Sequence, residues 1–143
     1  MAEHSTHAQA GFGTELWVDR GSGMEQVFEV VELEPGDPDV NEIDVTHLSS
    51  PDNYDETIPG RKLNGMCTGK INYNPSQYSI HGNMRDARGD KDSIWDWEVR
   101  LPGGLETIAF SGWVKTFKKD SLSGDSAIVV SFEIKQTGAP VFS

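Results

Sequence analysis

The sequence predicts a mainly β protein of sandwich or barrel type with one flanking α-helix. Three observations carry this: apolar and polar side chains alternate over several short stretches, turn-forming residues separate those stretches, and a single segment has helical spacing. With 36% hydrophobic and 9% aromatic residues in a chain of 143, one core can be filled. One domain over residues 1–143 is therefore expected, despite a mean hydropathy of −0.49.

The first two strands are Thr14–Asp19 and Met24–Glu34, joined as a hairpin through Gly21, Ser22 and Gly23. The second has Phe28 and Val30 on one side and Val27, Val31 and Leu33 on the other, which calls for burial on both faces, inside a sandwich or against another subunit. Glu42–Leu48 and Met66–Tyr73 read as shorter strands. Between them Ser49–Lys62 is a polar, proline-containing excursion, an exposed loop or a binding arm, within a long loop of about 35–61. The helix runs from Ser76, an N-cap after Pro75, to about Arg88, with Ile80 and Met84 four apart; Gly82 weakens it by about 1 kcal/mol relative to alanine.

In Ser93–Leu101 the residues Trp95, Trp97, Val99 and Leu101 share one face and Asp96, Glu98 and Arg100 the other. A Pro102-Gly103-Gly104 turn leads into Glu106–Lys118, with Ile108, Phe110 and Val114 inward, and the pair forms a second hairpin. Ala127–Lys135 places Ile128, Val130, Phe132 and Ile134 inward. Residues 1–11 form a flexible arm.

Charge is divided unevenly along the chain. Residues 1–60 hold 14 acids against Arg20 alone, giving −13; residues 61–143 hold 9 acids and 11 bases, giving +2, for the net −11. Nucleic-acid recognition needs Lys and Arg to displace counterions, so this balance opposes it. Two differently charged faces would suit head-to-tail association, and a monomer with one acidic loop would show the same numbers. Apolar runs are far shorter than the roughly 20 residues of a membrane-spanning helix, and no membrane association is expected. The opening residues have neither the basic start nor the apolar centre of a secretory signal, and lone Cys67 cannot close an internal disulfide. A reducing cytoplasm is the expected compartment.

Neither catalytic nor metal-binding residues are expected, and no cofactor. His4 and His7 fall in the N-terminal arm, while His47 and His81 lack partners at zinc-ligand spacing. Asp37, Asp39 and Asn41 have calcium-loop spacing, but Glu42 stands where the loop needs glycine and Leu48 where it needs a bidentate acid. Cys67 lies in a strand with no base beside it in sequence. The tryptophans Trp17, Trp95, Trp97 and Trp113 read as core or subunit-packing residues; the orientation of Trp17 and Trp113 stays open.

The segment GFGTELWVDRGSG, with Gly11, Gly13, Thr14, Leu16, Trp17, Val18, Gly21, Ser22 and Gly23, resembles the opening of the bacteriophage lambda-type (siphophage) major tail tube protein family. Lys62–Pro75, KLNGMCTGKINYNP, is similar to that family's small-residue turn and strand ahead of its helix. Arg100–Phe117 resembles its strand, Pro-Gly turn and Gly-Trp-Val element, and the last strand closes in Thr137–Pro140.

The resemblance implies a structural virion protein: six copies per ring, and rings stacked into a tail tube through which phage DNA is ejected without specific binding. Its partners would be further copies of itself and the tape measure, terminator and distal tail proteins, with assembly in the host cytoplasm and residence in the virion tail. On this reading Glu25, Glu29 and Glu32 are candidates to line the lumen. Asp37, Asp39, Asp52, Tyr54, Asp55 and Glu56 are candidates for contacts between rings. Other readings are a terminator or distal tail protein of the same fold, and a carbohydrate-binding β-sandwich with tryptophan platforms.

Overall fold

The computed structural model describes residues 11, 13–47, 54–125 and 127–143. Among the described residues nine strands and one α-helix follow one another: β1 (Glu15–Asp19), β2 (Met24–Val27), β3 (Val30–Glu34), β4 (Asp39–Asp44), β5 (Thr57–Leu63), β6 (Met66–Asn72), α1 (Ser79–Ala87), β7 (Trp95–Arg100), β8 (Thr107–Lys119) and β9 (Val129–Phe142). Seven strands form one sheet in the order β2-β1-β7-β8-β9-β6-β3, and β4 and β5 form a separate pair. Every pairing is antiparallel.

Both expected hairpins are present, β1–β2 across Gly21–Gly23 and β7–β8 across a 3-10 turn at Pro102–Gly104. The expected single strand Met24–Glu34 is instead broken at Phe28–Glu29, where Glu29 takes φ +66°. That kink closes the fold. β2 and β3, the two edges of the large sheet, are successive stretches of one segment, so the curled sheet brings its first and last strands end to end. The chain by itself does not bury both faces of this segment: Val27 is buried and Val30 and Leu33 pack on the core, while Phe28 and Val31 are exposed in the lone chain and would be covered only against another subunit.

Bulges supply the curvature the long strands need. The ladder of β8 with β9 shifts at Lys115 and again near Gly138, and β3 shifts at Val31 against β6. Inside the curl, Leu16, Val18, Trp97, Val99, Phe110, Val114, Ile71, Phe132 and Ile134 form one core. Trp97 donates its indole N–H to the Gly112 carbonyl at 3.1 Å, satisfying its polar atom. Gly69 and Gly112 keep the strands close, since a Cβ at either would lie 2.7 Å from a facing carbonyl oxygen. β9 continues to Phe142, beyond the expected Lys135, because its last residues pair with the start of β8. Ile128, expected inward, is exposed, as it precedes the first ladder pair.

The helix starts at Ser79, with Tyr78 as N-cap, so Ser76 does not cap it. Asn74 organises that turn: its side chain accepts the Gln77 N–H and its carbonyl accepts the Tyr78 N–H, holding residues 75–77 outside the helix. Ile80, His81, Met84 and Ala87 are buried. His81 Nδ1 accepts the Asn74 N–H at 3.0 Å, so the proton sits on Nε2, which donates to the Phe28 carbonyl at 2.9 Å. One neutral imidazole thus ties the helix to the kink.

Candidate assembly surfaces

The β4–β5 pair is a region without a core of its own. The chain leaves the sheet at Pro35–Gly36 and re-enters it at Gly65–Met66, and the two glycines meet backbone to backbone; a Cβ on Gly65 would lie 2.7 Å from Gly36. Gln136, buried, donates its side-chain N–H to the carbonyls of Pro35 at 2.8 Å and Gly36 at 3.1 Å. Its Oε1 is buried without a hydrogen-bond partner among the described residues. This neck is fixed, and the arm beyond it is not packed on the sheet.

Within the arm, an extra residue at Gly60–Arg61 shifts the register, so Ile43, Val45, Ile58 and Leu63 fall on one face, with Ile43 opposite Ile58. These four are 41–49% exposed, where residues of the main core are 0–5% exposed. Pro59 is tolerated because the outer edge of β5 has no ladder to donate to. The expected long loop of about 35–61 is therefore largely a hairpin, which conceals itself in sequence because neither face is buried in the lone chain. Between Asp37 and Leu63 the sequence holds seven acids against Arg61 and Lys62. Hydrogen bonds from Thr46, its hydroxyl first and its backbone N–H second, hold the Asp44 carboxyl below the usual carboxylate range.

The lumen candidates do not share a face. Glu25 lies on the same side of β2 as Val27, at the mouth of the curled sheet, and is ion-paired with Arg20 at 2.6 Å. Glu29 is exposed at the kink, where it accepts from the Asn72 side chain. Glu32 is exposed on the outer face of β3, opposite Lys70. Among the inter-ring candidates, Asp37, Asp39, Tyr54 and Asp55 are exposed on the arm or its root and Glu56 pairs with His47 at 3.2 Å. Asp52, His4, His7 and residues 1–10 of the expected N-terminal arm lie outside the described residues.

The tryptophans divide. Trp97 is core and Trp95 packs beside it, ring centroids 5.8 Å apart, under the guanidinium of Arg20. Trp17 lies half-buried on the outer face of the sheet beneath Arg100, 4.2 Å from its ring centroid, and Trp113 lines a small hollow with Gly89, Asp90, Lys91 and Ile94. Among the described residues no group of three or more His, Cys, Asp or Glu could hold a metal ion, and no helix is long and apolar enough to cross a membrane. Burial pushes the Cys67 thiol up to about 12.

A sheet curled through one kinked strand, a single helix and a projecting hairpin are a specific combination, and the family model of the lambda phage tail tube protein matches residues 18–143. The chain belongs to that family. Solved assemblies share the fold. The tail of an empty gene transfer agent particle, refined with C6 symmetry, has 16% identity and a TM-score of 0.75 over 95% of this chain and 99% of that chain. The sheath/tube terminator of the PVC extracellular contractile injection system, in its extended state, has 11% identity and a TM-score of 0.77 over 98% and 99%. The cap of the anti-feeding prophage has 13% identity and a TM-score of 0.70 over 99% and 96%. At these identities the likeness is one of fold. No curated protein matches the chain.

The resemblance read from the glycine-rich opening and the Gly-Trp-Val element thus names the right family, and the mainly β fold with one helix is the fold of these relatives. The family and its solved relatives are structural components of phage tails and phage-like particles. The projecting arm escaped sequence reasoning as a hairpin; the pair Gly36 and Gly65, bracketing a stretch of short strands, was the signal available for it.

Proposed function

We propose that the chain builds a tail tube: six copies close a ring, rings stack into a hollow tube, and DNA leaves through it without base-specific contacts. The observation that carries the reading is the arm, an apolar-faced hairpin outside the main core, in a chain of the tail tube family. An isolated two-stranded hairpin is marginal in water, so a neighbouring copy is the natural cover. The C6 symmetry of the gene transfer agent tail supports six copies per ring. On this reading Asp37, Asp39, Tyr54, Asp55 and Glu56, with Asp52 beyond the described residues, make contacts between rings.

Exposed Glu29 and Glu32 remain the candidates to face the lumen, where carboxylates would give phosphates few cations to hold; Glu25, already paired with Arg20, contributes less field. A cryo-EM map with Glu29 and Glu32 on the outer wall would remove that assignment. Assembly would take place in the host cytoplasm, with the tape measure, terminator and distal tail proteins as partners. The mechanism is transport, with no bond made or broken.

Negative-stain electron microscopy of the purified chain tests the reading: tubes are expected. Joining Gly36 directly to Gly65 should leave a folded, monomeric subunit, since the two residues already touch. A wild-type chain that stays monomeric at high concentration, or an armless one that still polymerises, overturns it. The likeness to a sheath/tube terminator favours a second reading, in which the chain caps a tube made by another protein. Short caps or single rings in place of tubes would select it.

A further inference from the structure

Asn64 and Gly65 form the link between β5 and β6 at the neck, outside every ladder. Asn64 is half-buried, and neither its carboxamide nor the Gly65 N–H has a hydrogen-bond partner among the described residues. An asparagine followed by glycine is prone to cyclise, because the next backbone nitrogen can reach the side-chain carbonyl carbon and no Cβ shields it. Hydrogen bonds to either group, or a backbone fixed in a helix or ladder, oppose that approach.

The other described asparagines are each held back. Asn41 lies within β4 ahead of Glu42, and Asn83 within α1 ahead of Met84. Asn72 donates its side chain to Glu29, and the N–H of the following Tyr73 is bound to the Ile128 carbonyl. Asn74 precedes Pro75, whose nitrogen carries no hydrogen. Among the described residues only Asn64 combines an unbound side chain with an unbound glycine N–H.

We propose that Asn64 is a site of spontaneous deamidation, a covalent modification whose isoaspartate product the neck cannot hold. The Gly65 nitrogen attacks Cγ of Asn64 and gives its proton to a solvent base. The new N–Cγ bond forms, the Cγ–Nδ2 bond breaks, and the departing group takes up a proton and leaves as ammonia. Water then opens the succinimide at one of its two carbonyls, giving aspartate or isoaspartate, so one water is consumed for each ammonia released. Isoaspartate routes the main chain through Cβ and Cγ, which adds a methylene between residues 64 and 65. The crossing has no space for it, since even a Cβ on Gly65 would lie 2.7 Å from the Asp37 carbonyl oxygen. Gln136 holds the other side of the neck at Pro35 and Gly36, so Gly65 must yield and the arm loses its fixed root.

The experiment ages the folded wild-type subunit at pH 8 and 37 °C, with the chain unfolded in urea as the positive control. Trypsin releases Leu63–Lys70 as one peptide. That peptide should gain one mass unit and accept methyl groups from an isoaspartyl methyltransferase, while Ile71–Arg85, which carries Asn72, Asn74 and Asn83, stays unchanged. Aged wild type should also lose its arm to protease faster than fresh protein, and Asn64→Gln should abolish both changes. Fresh Asn64→Asp, which adds the charge without the methylene, should be cleaved at the rate of fresh wild type. A Leu63–Lys70 peptide that stays unmodified in the folded subunit overturns the site. Faster cleavage of fresh Asn64→Asp, or unchanged cleavage of the aged protein, overturns the effect on the neck. These readouts are taken on the subunit alone and stand apart from tube formation.

Discussion

The curled sheet and the β4–β5 arm are built from the same antiparallel ladders, yet only the sheet has an inside. Leu16, Val18, Val99 and Ile134 are fully buried within it, whereas Ile43 and Ile58, equally apolar and paired across strands, remain nearly half exposed. Backbone pairing alone therefore does not make a stable unit; a second apolar surface is needed to exclude water. The sheet finds that surface in itself by kinking at Glu29. The arm finds no such surface among the described residues of its own chain.

Substitutions should separate the two regions on a graded scale. Trp97→Ala removes the largest buried side chain and its bond to the Gly112 carbonyl, and should lower subunit stability by about 3–5 kcal/mol in urea denaturation. His81→Leu leaves the Asn74 N–H and the Phe28 carbonyl without their partner and should cost about 1–3 kcal/mol, with faster hydrogen exchange at the kink.

Burial of Cys67 adds a pH dependence. The folded thiol is raised from 9.0 to about 12, so above pH 9 the unfolded chain releases a proton that the native state keeps. Stability should then fall by roughly 1 kcal/mol per pH unit between pH 9 and about 12, and Cys67→Ala should flatten that slope. In the native subunit at pH 8 the thiol should resist alkylation.

At the neck, Gln136→Leu removes two hydrogen bonds to Pro35 and Gly36 but also an unpaired buried oxygen, so its cost should stay near 1 kcal/mol while proteolysis of the arm accelerates. Smallest of all, Ile43→Ser with Ile58→Ser should change subunit stability by less than about 0.5 kcal/mol, because both side chains are already half in water. If assembly depends on the arm, this same pair abolishes tubes in electron micrographs. A large stability loss there would mean that the arm packs on its own sheet.

Legibility in the sequence follows burial. β7 was readable residue by residue because one face is dry and the other wet, and the β1–β2 and β7–β8 turns announce themselves through glycine and proline. The helix was readable from Ile80 and Met84, although its start depended on how the Asn74 side chain organises the turn. Of the arm only one strand, Glu42–Leu48, is legible, overlapping β4 at its end; β5 and the pairing are not, since alternation signals one-sided burial and the lone chain buries neither face of β4 or β5. Glu25, Glu29 and Glu32 look equivalent along a straight strand; the kink and the Val31 bulge send them to three environments.

By itself the sequence determined the β class, the order of most elements, the buried positions of the central strands and the family, because these rest on local periodicity, turn chemistry and short motifs. Tertiary structure alone decided the closure of the sheet at Glu29, the neck at Gly36 and Gly65, and the projection of the acidic arm away from the curled sheet. Those features depend on contacts between residues distant along the chain, such as Gln136 with Pro35 and His81 with Phe28, whose partners no local pattern specifies.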